Sequence, residues 1–146
     1  MNGEVDALVL ALSGLRRLGK ESAVSEIIPV DIMLPAVGQG ALAIETRADD
    51  AEVRGALSPL HDVESAACVT AERAMLAALD GSCRTPIAGF AELSADRLHL
   101  RGILLSPDGA AERHAEGRGP ASEPEALGRE IGARLRSGAG LEFGFG

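Results

Sequence analysis

Tryptophan and tyrosine are absent from this sequence, and Phe90, Phe143 and Phe145 are its only phenyl rings. Nucleic-acid surfaces that stack bases need more rings than that. Positive charge is scarce as well, with 14 Lys and Arg against 22 Asp and Glu and a formal net charge of −8. A phosphate backbone is held by a basic stripe, so nucleic acid is excluded as a partner. There is no apolar run near the roughly 20 residues that a membrane span requires. The start, MNGEVDALV, lacks the basic residues and long apolar centre of a secretory leader. These features predict a cytoplasmic protein without a membrane partner. Cysteine is limited to Cys68 and Cys83, and in a reducing compartment both are expected to stay free. No zinc-type Cys/His spacing occurs, and no metal site is expected.

What is present is apolar material, 46% of 146 residues, enough for one ordinary core or for a small domain plus a piece of another. The acidity is lopsided. Through Asp80 there are six Lys and Arg against thirteen Asp and Glu, whereas Gly81 to Gly146 is nearly balanced. Most of these carboxylates read as a solvated surface.

Periodicity then divides the chain. Val5 to Leu12 is a short apolar run suited to a buried strand, followed by the helix-like SGLRRLG, which stops at Gly19. Pro29 and Pro35 bracket an extended segment, and a second strand is expected at roughly Ala41 to Glu45. Asp49 and Glu52 read as a capping box for a helix over about Asp50 to Leu57. A stronger helix runs from about Asp62 to Leu79, with Cys68, Met75, Leu76 and Leu79 on one face. That makes Cys68 a buried small hydrophobe. Strands are expected at Pro86 to Leu93, Leu98 to Leu104 and roughly Ala111 to Glu116, joined by the turns SADR and SPDG. Glu123 to Arg136 returns to helix on Leu127, Ile131 and Leu135, and GAGLEFGFG reads as a frayed tail.

The order α, β, β, β, α over residues 62 to about 138 specifies an α+β domain, a three-stranded antiparallel sheet with helices on one face. Residues 1–57 do not close in this way. A lone βα unit with one further strand cannot cover both its faces, so they read as an incomplete α/β segment ahead of a domain over 58–146. The chain is accordingly expected to be the C-terminal part of something larger.

Within DGSCRTPIAG, at 80–89, Cys83 lies between helix and strand. The C-terminal end of a helix disfavours a thiolate, and Arg84 is the one obvious local aid. On pattern alone, a reactive thiol and a merely structural one both stand.

Four segments carry a resemblance. DALVLALSGLRRLG (6–19), LPAVGQGALAIETR (34–47), VTAERAMLAALDGSCRTPIAGFAEL (69–93) and LHLRGILLSPDG (98–109) together resemble porphobilinogen deaminase, also called hydroxymethylbilane synthase, in order and in separation. The resemblance covers nearly the whole chain but only the C-terminal half or so of the family's length. It implies residues 1–57 as the end of a middle domain with a return strand and helix to the first, and 58–146 as the cofactor-anchoring third domain. It implies Cys83 as the thioether attachment point of a dipyrromethane cofactor, although GSC stands here where GGC is more frequent. It also implies Arg17 as a partner for acetate and propionate groups, a task that suits a guanidinium fork. Ala11 and Gly14 match backbone positions lining the cofactor, and Gln39 a polar contact to it. Taken alone, Arg17 reads as a solvated cation near a helix end and GQG as a turn.

The activity implied is the joining of four porphobilinogen molecules, with loss of ammonia, into a growing linear pyrrole chain released as hydroxymethylbilane. The family's catalytic aspartate belongs to N-terminal domains that find no match here, so no catalytic residue is assigned and the chain alone is expected to be inactive. Its expected partners are porphobilinogen, the growing pyrrole chain and the missing N-terminal domains, as a monomer when complete. A noncatalytic α+β binding or assembly module is the alternative.

Overall fold

A computed structural model describes residues 5–80 and 86–144 of the chain. It divides into two units, one ending at Met33 and the other beginning at Leu34.

The first unit holds one short helix, α1 (Leu12–Arg17), and a single 3-10 turn at Glu21–Ala23. Six residues cannot sustain a helix by propensity alone, and α1 buries no side chain. The expected strand at Val5 to Leu12 does not form: residues 5–11 carry no ladder, and Leu8, Val9 and Leu10 are each more than half exposed. Alternating apolar residues yield a strand only where a neighbour supplies the hydrogen bonds.

The second unit begins with an irregular stretch through residue 50, and the strand expected at Ala41 to Glu45 is missing there for the same reason. Next come α2 (Ala51–Leu57) and α3 (Val63–Ala78). Asp50 rather than Asp49 caps α2, accepting from the Val53 N–H at 3.1 Å. Asp62 caps α3 in the same way, with the Ser65 N–H at 2.7 Å. Three strands follow, β1 (Ile87–Ser94), β2 (Arg97–Leu105) and β3 (Glu112–Pro120), and then α4 (Pro124–Arg136). The sheet is antiparallel in the order β1-β2-β3, with Phe90 opposite Arg101 and Arg101 opposite Glu116.

One face of that sheet takes α3 and α4. The fully buried large side chains are Met75, Leu79, Leu98, Leu100, Leu104, Ile131 and Leu135, each contributing on the order of 1.5–3 kcal/mol by leaving water. The fold's stability is therefore concentrated between Asp62 and Arg136. Phe143, in a 3-10 turn at Leu141–Phe143, joins this core, so the tail is anchored where fraying was expected. Packing the ring there removes a large apolar surface from water. The other face of the sheet carries the Arg101–Glu92 ion pair and a His99–Glu116 hydrogen bond, both at 3.0 Å.

The two helices cross almost backbone to backbone. A Cβ on Gly128 would overlap the Ala71 carbonyl oxygen and come within 2.6 Å of the Ala74 Cβ, and one on Gly132 would lie 2.7 Å from the Met75 carbonyl oxygen. Only a residue without a side chain permits this approach.

Candidate functional site

The chemistry-bearing residues fall at three places. Ala11, Gly14 and Arg17 belong to α1: Ala11 caps it, the Gly14 N–H donates to the Ala11 carbonyl at 3.1 Å, and Arg17 closes the last turn. Gly14 and Arg17, three residues apart, are neighbours on the helix surface. The neighbouring Arg16 is engaged, its Nε 2.7 Å from Glu21. Arg17 is exposed, and among the described residues it has no ion-pair partner. Its guanidinium remains available to a carboxylate ligand.

Gln39 belongs to the second unit. It tops the turn VGQG, whose Gly38 and Gly40 have φ of 71° and 86°. Such angles demand glycine even where space is open, and a Cβ at either position would meet nothing within 4 Å. The turn thus presents an exposed carboxamide between two unobstructed stretches of backbone, a surface on which a flat polar ligand could lie.

That turn is fastened to the α+β unit from below. The Gly89 N–H of β1 donates to the Pro35 carbonyl at 3.0 Å, and Val37 packs against the core. Next along the strand, the Ala91 N–H donates to Oε1 of Glu72 at 2.8 Å, while the Gly38 N–H donates to Oε2 at 2.7 Å. Glu72 is only 6% exposed. Burial pushes its pKa above the ordinary 4.5, against the two backbone donors that favour the charged form. Sequence reasoning missed this residue. The signal was available, because Glu72 falls four residues after Cys68 and three before Met75, on the apolar stripe of α3.

Cys83 and its loop, 81–85, lie outside the described residues. Their two flanks are fixed. Asp80, which ends the α3 side, pairs with Arg136 of α4 at 2.5 Å. Pro86, on the other side, accepts from the Leu105 N–H at 2.9 Å. Cys68 is half-buried rather than fully buried, and its thiol is pushed up first by burial and then by the negative charges of Glu72 and Glu64. The shift lowers the share of thiolate, the nucleophilic form, at Cys68. Among the described residues there is no cluster of three or more metal-binding side chains, and no helix is long and apolar enough to cross a membrane.

Two family models match the chain in succession. Residues 1–55 match the dipyromethane cofactor binding domain of porphobilinogen deaminase, and residues 66–137 match that family's C-terminal domain. Among curated proteins, the chain is 48% identical to a porphobilinogen deaminase of Sorangium cellulosum over 141 residues, covering 94% of the chain and 47% of that protein. It is 49% identical to that of Paracoccus denitrificans over 142 residues, covering 97% and 45%, and 45% identical to that of Nitrobacter hamburgensis, with the same coverage. The chain thus spans about half the length of the curated relatives it matches.

Proposed function

Because the chain belongs to the porphobilinogen deaminase family, we propose that it supplies the C-terminal part of a hydroxymethylbilane synthase, carrying the dipyrromethane cofactor on Cys83. The observation that carries this reading is the succession of both domain matches along one chain. When bound, the cofactor supplies the free pyrrole position onto which four porphobilinogen units are added, with loss of ammonia, before hydroxymethylbilane is released.

The residues suit such a group. Pyrroles bearing acetate and propionate present several carboxylates, and Arg17 offers an exposed guanidinium that can receive one bidentately. Gln39 offers both a donor and an acceptor on a turn with open flanks. Ala11 and Gly14, on the same helix as Arg17, contribute backbone surface. Cys83 supplies the sulfur of the thioether.

In this reading the chain contributes binding and anchoring but no catalytic group, and is inactive by itself. Val9, Leu10, Leu42 and Ile44, each more than half exposed, are strand-like sequences covered by the N-terminal domains of the complete, monomeric, cytoplasmic enzyme. The test is complementation. The chain is mixed with the N-terminal half of a family member, and porphobilinogen consumption is followed. Turnover in the mixture and none in either part is expected. Turnover by the chain alone would overturn the inactive assignment, and a mixture that assembles without turning over would favour a noncatalytic module.

A further inference from the structure

Strand β1 is an edge strand, paired on one side by β2 alone, and an edge leaves every second N–H without a ladder partner. Two of those groups, on Gly89 and Ala91, point toward residues 35–38. The first finds the Pro35 carbonyl at 3.0 Å. One step along the edge the incoming segment turns away at Gly38, whose φ of 71° departs from any strand. Direct pairing ends there, and the Glu72 carboxylate fills the gap from α3. Its Oε1 takes the Ala91 N–H at 2.8 Å and its Oε2 the Gly38 N–H at 2.7 Å.

We infer that Glu72 is a positioning residue for the Gln39 turn: it bridges the edge of β1 to Gly38 and thereby fixes how Gln39 is presented to a bound polypyrrole, without touching that ligand itself. This rests on the reading of Gln39 given above. A buried charge is expensive to keep unless its hydrogen bonds are made. A structural need to satisfy Ala91 would be met by any neutral acceptor. A carboxylate is needed where two donors, facing one another across a gap, must be held by a single side chain. Gln at this position has one acceptor oxygen and a donor NH2, so it satisfies one N–H and confronts the other.

The experiment has two arms, using the variants Glu72→Gln, Glu72→Asp and Gln39→Ala. In the full 146-residue chain, amide exchange is measured at Gly38, Ala91, Leu100 and Ile131. Both Glu72 variants should speed exchange at Gly38 by roughly tenfold or more relative to Leu100 and Ile131. Unchanged exchange at Gly38, or a rise of equal size at all four amides, overturns the inference, the second because it marks a purely structural role. In the complex of the chain with an N-terminal half, dipyrromethane occupancy of Cys83 is read by mass. It should fall about threefold or more in Glu72→Gln and in Gln39→Ala alike. Intact occupancy in Gln39→Ala overturns the reading of Gln39. A freed Gly38 with intact occupancy in Glu72→Gln, alongside a damaged Gln39→Ala, overturns the role of Glu72 and leaves that of Gln39 standing.

Discussion

Replacing Gly128 by alanine adds one methyl group at the point where α3 and α4 touch. By helix propensity the change should help, by about 1 kcal/mol. The structure gives the opposite sign. The new Cβ overlaps the Ala71 carbonyl oxygen, sits 2.6 Å from the Ala74 Cβ and 2.9 Å from the Met75 nitrogen. These atoms are mostly helix backbone, which cannot rotate aside as a flexible side chain would. Relief requires the helices to separate by about 1 Å, and separation loosens Met75, Ile131 and Leu135, all fully buried. Overpacking of this kind costs about 1–3 kcal/mol or more, and the backbone clash puts it at the upper end, leaving a net loss of about 2 kcal/mol. For a unit of this size that corresponds to a fall in Tm of roughly 10 °C. Gly55 of α2 is the matched control, because a Cβ there meets nothing within 4 Å. Gly55→Ala should be neutral or stabilising by up to about 1 kcal/mol. Thermal and urea unfolding followed by circular dichroism compares the two. Equal effects of Gly128→Ala and Gly55→Ala would refute the close crossing.

Three further predictions concern a turn, a helix cap and the dependence on pH. Ala95, in the β1–β2 turn, has φ of 54°, a left-handed conformation costing a non-glycine residue about 1 kcal/mol. Ala95→Gly should raise the urea midpoint without changing the slope, and a lowered midpoint would contradict the assigned turn. Asp62→Ala removes the α3 cap and should lower the urea midpoint, whereas Asp62→Asn should retain most of the stability. The pH dependence follows from three carboxyls. Glu72 binds its proton more tightly folded than unfolded, so acidification from neutral pH down to about 4.5 should stabilise the chain relative to Glu72→Gln. Asp62 and Asp108 are lowered below 3.8, Asp62 by the Ser65 N–H and Asp108 by the Ser106 hydroxyl, so their contribution is lost as the pH falls from 3.8 through their folded values. If stability urea-melted across pH 7 to 4.5 ran parallel in both proteins, Glu72 would not be buried as described.

From α3 to α4, the elements were legible in the sequence because they satisfy one another. The stripe of Met75 and Leu79, the alternation of Leu98, Leu100 and Leu104, and the four-residue steps of Leu127, Ile131 and Leu135 all point into the same core. The strands expected at Val5 to Leu12 and Ala41 to Glu45 failed for a related reason. Their apolar pattern records a burial that the described residues do not provide, and periodicity cannot reveal where the covering surface comes from. The cap of α2 was misread by one residue because Asp49 and Asp50 are adjacent and chemically equal. Phe143 was lost among the glycines of the tail, although a large apolar ring is a strong candidate for burial. At the site, the paired glycines around Gln39 announced a turn with positive φ. Glu72 went unnoticed because its partners are backbone amides, which leave no mark in a residue pattern.

The proposed role of this chain is that of the cofactor-bearing part of a hydroxymethylbilane synthase. It is tested most directly by the mass of the chain produced together with an N-terminal half, followed by mapping of the peptide that contains Cys83. Two linked pyrrole units on Cys83, with Cys68 unmodified, is the predicted result. A bare Cys83 in a complex shown to have assembled would contradict it.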